Sequence, residues 1–189
     1  MEKAAQENSK TLAICSVAEL SEEAQALVCP EMRPRAYVTL LMEKNLFPDA
    51  VRFLAHGLPK REAVWWAWVC ARRSAGDTPP PKIAGALHAT EKWIAQPNEE
   101  NRRAAMESAR TAEFSTAAGS AALAAFFSGG SMAPPDAPAV PPGEFLTAKA
   151  VAGAVTIAAV AKEPDKAPEK FKAFVTQGLD VTTRIKLWE

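Results

Sequence analysis

The chain has 189 residues, 48% of them hydrophobic and 23% charged, with Lys plus Arg and Asp plus Glu equal at 22 each. That length suits one domain with a substantial core, and the charge balance removes the electrostatic argument for nucleic-acid or anionic-membrane partners. Three cysteines with no Cys-x-x-Cys spacing point to reduced thiols and a cytoplasmic setting, and the first residues lack the basic-then-apolar pattern of a secretory signal.

Residues 1–10 read as a polar, disordered tail, and 11–189 as a single domain. Leu12 to Cys15 is a short apolar run, extended or packed in a groove. Ser16 or Ser21 caps a helix whose buried face is Leu20, Ala24, Leu27 and Val28, with Glu22 and Glu23 suited to its first turn. Pro34 opens the next helix at a position where its missing N–H costs nothing. Tyr37, Leu40, Leu41 and Met42 form its apolar face, and Asn45 suits a left-handed stop. A helix from Pro48 to about Ala55 ends at His56-Gly57, with Gly57 in a left-handed position.

Pro59 opens the helix around which the chain is organised. Ala63 to Ala71 is an unbroken apolar or small run holding Trp65, Trp66 and Trp68. A surface helix would interrupt such a run with polar residues every third or fourth position, so this helix is expected to be contacted on most sides. Ser74 to Asp77 ends it, and Thr78-Pro79-Pro80-Pro81 is a stiff connector. Lys82 to Gln96 follows, with Trp93 apolar. Asn98 caps a helix that carries Glu99 and Glu100 in its first turn and runs to about Glu113. Ser115-Thr116 starts an alanine-rich helix to Phe127, stopped by Ser128-Gly129-Gly130.

A proline loop spans 131–143, near the upper length for an ordered loop. A second core helix runs to Ala161; its alanine and valine content and Lys149 make it a buried helix rather than a membrane span, which needs about 20 strongly apolar residues. Phe171, Phe174 and Val175 give a last amphipathic helix capped by Gly178, followed by a tail to Trp188 that docks or adds a turn. No stretch alternates with period two. The fold expected is all-α: one compact multi-helix domain of about eight or nine short helices, a bundle or small superhelix without a sheet.

No constellation supplies catalysis. His56 and His88 are isolated, outside any metal-ligand spacing. The acid pairs Glu22-Glu23 and Glu99-Glu100 sit where helix starts favour acids. Ser128-Gly129-Gly130-Ser131 lacks the lysine and preceding strand of a phosphate loop. Trp65, Trp66, Trp68 and Trp93 read as core, although Arg61, Trp65, Trp68 and Arg72 share one helical face that suits cation–π stacking or a partner anchor. Lys60 and Arg61 occupy a first turn whose dipole disfavours cations; Arg61 is therefore expected to meet a buried carboxylate or an outside partner. Arg102, Arg103 and Arg110 form a modest basic face offset by Glu99 and Glu107. The candidate partner-contacting residues are Lys60, Arg61, Glu62, Arg102 and Arg103. No enzyme activity, cofactor or metal is expected.

Four segments together resemble an uncharacterised bacterial domain family: Leu58 to Ala67 with its Arg-Glu-Ala-x-Trp-Trp motif; Trp93 with Pro97 to Ala105; Ala124 to Pro135 with Ser-Gly-Gly-Ser; and Leu146 to Val155. The resemblance covers about 35–162, and the ends carry none of it. It implies a companion of type VI secretion genes: a cytoplasmic adaptor or chaperone for effector loading, whose protein partner is an effector or spike component. The alternatives are an immunity protein that neutralises a toxin, and a helical scaffold.

Overall fold

The computed structural model describes residues 10–188; most of the expected polar tail, 1–9, lies outside them. Among the described residues every element is helical and no strand occurs, as the sequence predicts. Residues 10–15 are helical (α1), so the Leu12–Cys15 run is not extended. Among the described residues nine helices follow: α2 (Glu22–Ala26), α3 (Pro34–Glu43), α4 (Phe47–Gly57), α5 (Lys60–Ala75), α6 (Pro81–Ala95), α7 (Glu99–Ala112), α8 (Ala117–Phe126), α9 (Leu146–Val160) and α10 (Ala167–Arg184), with a 3-10 turn at Pro164–Lys166.

Capping residues set the boundaries. The side chains of Ser21, Asn98 and Thr116 each accept a hydrogen bond from a first-turn amide, and Pro34 stands in the first turn of α3. Asn45 is left-handed at φ 59 as expected. Gly57 is not: it is the last helical residue of α4, with no positive φ. Its role is close approach, since a Cβ there would stand 2.7 Å from the Trp188 ring. The chain's last segment docks there, with the Trp188 ring 6.0 Å from that of Phe53.

The central layer is α5, α8 and α9, packed on one another, with α6 and α7 on one side and α4 and α10 on the other. All of α8 except Ala117 and Leu123 is buried; its alanines let α9 approach closely. Trp66 is fully buried, and its indole N–H donates to the Phe174 carbonyl of α10 at 2.8 Å. Gly178 does not cap α10. It lies inside that helix, where a Cβ would meet Trp66 at 3.0 Å and Leu54 at 3.1 Å. Glycine is required there by packing rather than by a turn.

Candidate functional site

The sequence segments that carry the family resemblance converge at one end of the molecule. There the N-terminus of α5, the α6–α7 junction and the chain after α8 meet, and the reason is the end of α8. A helix leaves its last four carbonyls without intrahelical partners and a partial negative charge beside them. Three consecutive carbonyls here accept from three different elements: Phe126 from Arg102 of α7 at 2.7 Å, Phe127 from Thr147 of α9 at 2.9 Å, and Ser128 from Lys60 of α5 at 3.2 Å.

Arg102 is the centre of this arrangement. It is 3% exposed, so it does not form the solvated basic face that the sequence suggests, and it is not available as a partner contact. Its Nε and one terminal nitrogen donate to the two carboxylate oxygens of Glu99 at 2.7 and 2.8 Å. The terminal nitrogens also reach the carbonyls of Phe126 and Ser131. The guanidinium lies 4.5 Å over the Phe126 ring. Arg103 adds donation to Glu99 at 2.6 Å and to the Ala133 carbonyl at 3.1 Å. The fork of planar donors explains why arginine rather than lysine stands here. Hydrogen bonding from Arg102, helped by Arg103, lowers the Glu99 carboxyl to about 2. Gly130, at φ 62, crosses directly over this pair; a Cβ would stand 2.8 Å from Arg102 Nε and 2.8 Å from Glu99 Oε2.

The clamp shapes the proline loop. Ser131 Oγ accepts from the amides of Ala133 and Val140, and the Met132 amide donates to the Val140 carbonyl at 2.7 Å. No residue of 131–143 is buried. Met132 and Val140 are exposed at 36% and 48%. Beside the loop, α7 contributes Arg103, Met106 and Arg110 to a groove of about 430 Å³ that Phe126, Met132 and Pro134 complete.

The first turn of α5 resolves differently from expectation. Arg61 meets no buried carboxylate. Its Nε donates to the Ile94 carbonyl at 2.8 Å, at the end of α6. Lys60 and Arg61 oppose their own helix dipole because each serves the C-terminus of a neighbouring helix, α8 and α6. Neither Arg61 nor Arg72 stacks on a tryptophan among the described residues; the cation–π contacts there involve Phe126 and Phe47. Trp66 and Trp93 are buried. Trp65 and Trp68 are partly buried against the core, and Trp68 donates to the Leu87 carbonyl. Glu62 is half-buried and lines a small cavity with Trp65.

The chemistry present elsewhere is modest. Among the described residues no three His, Cys, Asp or Glu side chains gather as metal ligands. Burial pushes the Cys15 and Cys70 thiols up, away from thiolate, whereas Cys29 is exposed rather than packed. His56 is half-buried and donates from Nδ1 to the Arg52 carbonyl, and desolvation lowers its pKa. Among the described residues no helix is long and apolar enough to cross a membrane.

The family model for DUF6931 matches residues 37–182. The chain belongs to DUF6931, a family of unknown function. No curated protein matches it, and no solved structure does. The DUF6931 match runs beyond the resembling segments, through most of α10. That helix is integral to the core through Phe174 and Gly178, which both meet Trp66, so the region beyond 162 is part of the domain rather than an unrelated end.

Proposed function

We propose that this member of DUF6931 is a non-enzymatic protein-binding accessory whose contact surface is the proline loop and the groove beside it. One observation carries the reading. The fold buries an arginine to hold residues 126–133, yet loop residues 131–143 contribute nothing buried in return. Burying a charge costs several kcal/mol before its partners offset it, on the order of estimates for ions in proteins. Holding an exposed loop in one shape lowers the ordering cost of binding, and loops placed on rigid scaffolds commonly carry function. Met132, Pro134 and Phe126 provide apolar contact, and Arg103, Glu107 and Arg110 line the groove with them, the last two paired with each other.

The resemblance to type VI secretion companions gives the finer reading: a cytoplasmic adaptor or chaperone for effector loading. Co-purification from the native host under secretion-active conditions is expected to recover an effector or spike component, and Met132→Glu to lose it without lowering the melting temperature. Recovery of neither component, or undiminished recovery with Met132→Glu, contradicts the proposal. Growth rescue against a neighbouring toxin, without effector export, would establish the immunity reading instead.

A further inference from the structure

The cavity against Trp65 is a separate feature from the proline-loop groove. It measures about 270 Å³ and is lined by Arg61, Glu62, Trp65, Ile94, Val181 and Arg184, with Ile185 at its edge. Its apolar wall joins three helices, α5, α6 and α10, and the segment just after α10. Trp66 and Trp68 both donate their indole N–H to backbone carbonyls. Among the described residues the Trp65 N–H has no such partner, and it is not sealed from solvent.

The two guanidiniums are similarly uncommitted. Arg61 uses only Nε, on Ile94. Its terminal nitrogens, and all of Arg184, have no hydrogen bond or ion pair among the described residues. Two arginines against one Glu62 leave the cavity with a net positive charge. Paired N–H forks suit a carboxylate, and a half-buried tryptophan beside arginines is the composition of a binding hot spot.

We infer that this cavity receives the C-terminal residue of a partner polypeptide, an apolar side chain with its free α-carboxylate. The size decides between this and an internal acidic motif. An open space of about 270 Å³ with cationic and apolar lining together best suits a single residue that carries both the anion and the apolar group. Within a polypeptide a chain terminus meets that condition, because the acidic residues carry no apolar side chain. Arg61 and Arg184 take the carboxylate, Trp65, Ile94 and Val181 take the side chain, and Glu62 accepts from the terminal residue's N–H. The inference rests on the protein-binding reading and names the chemistry of one end of the partner.

The test uses the full chain and small probes, so its outcome is independent of which partner co-purifies. Indole N–H signals are followed in 1H–15N spectra, with Trp65→Phe assigning the Trp65 signal. N-acetyl-L-phenylalanine is expected to shift that signal saturably, with a Kd on the order of 1 mM for so small a ligand. N-acetyl-L-phenylalanine amide, which lacks the charge, should bind at least tenfold more weakly. L-phenylalanine, whose ammonium replaces the amide N–H of a chain, should also bind more weakly than the acetylated acid. Arg184→Gln should weaken binding at least tenfold with an unchanged melting temperature, because Arg184 is exposed and holds nothing in the fold. No saturable shift, equal binding of acid and amide, tighter binding of free phenylalanine, or an indifferent Arg184→Gln would each overturn the inference.

Discussion

Trp66 and Arg102 are almost equally hidden from solvent, at 0% and 3% exposed, and they hold their regions by opposite means. Around Trp66 the contacts are apolar and non-directional, with one hydrogen bond to Phe174 and a glycine that lets α10 approach. Around Arg102 they are directional: the guanidinium reaches Glu99, Phe126 and Ser131, each at a fixed distance. The apolar region gains its stability from area and packing. The polar region gains shape, because a buried donor that loses its acceptor is penalised in full. The first holds the helices together. The second fixes where an exposed loop stands.

The sharpest way to break the comparison is Arg102→Ala. It strands the buried Phe126 carbonyl and removes the main partner of Glu99, whose half-exposed carboxylate turns to water. The expected loss is about 2–3 kcal/mol in urea unfolding, from one unsatisfied buried acceptor and the lost packing of the side chain. Arg102→Lys should recover less than half, since an ammonium places its three N–H donors on one atom and cannot reproduce the planar fork that makes four bonds here. Gly130→Ala comes next, at about 1–3 kcal/mol, because it adds left-handed strain to a Cβ at 2.8 Å from Arg102 Nε. Gly178→Ala probes the apolar side. Helix propensity favours alanine by about 1 kcal/mol, but Trp66 is fixed by its hydrogen bond and cannot easily recede. A net loss of about 1 kcal/mol is expected from overpacking.

The smallest effect is acid. Glu99 lies at about 2 in the fold against an ordinary 4.5. A depressed carboxyl contributes above its unfolded value and loses that contribution as pH falls through the folded one. The Glu99 side chain is half exposed, so screening keeps the global effect small. Loop amide shifts of Ser131 and Ala133 should stay constant from about pH 7 to about pH 4 and change with a midpoint at about 2. A midpoint near 4.5 would mean that the arginines do not hold Glu99 in solution.

The all-α class, the proline-marked boundaries and the central tryptophan helix are legible in the sequence because they depend on local pattern. The glycines mark the limit of that reading. Gly57 and Gly178 look like helix stops from sequence, but their reason is a tryptophan ring from a distant segment. Lys60 and Arg61 look anomalous beside their own helix dipole, and their partners lie 68 and 33 residues away. Arg102 reads as surface because it is charged, yet it shares the buried face of α7 with Ala105, Ala109 and Ala112, and the α8 terminus supplies its acceptor there. A signal was present nonetheless. The Pro-Asn-Glu-Glu-Asn-Arg-Arg and Ser-Gly-Gly-Ser segments occur together in the resemblance, and they form one clamp.

The central claim is that the polar clamp orders the proline loop independently of the tryptophan core, and Arg103→Ala tests it most directly. Arg103 touches Glu99 and the loop carbonyls but is only partly buried. Native-state hydrogen exchange is followed at the Met132 amide, which donates to Val140, and at α5 amides around Trp66. Protection of Met132 is expected to fall at least tenfold in Arg103→Ala while α5 protection is unchanged. Equal loss at both places, or no loss at Met132, would contradict the account.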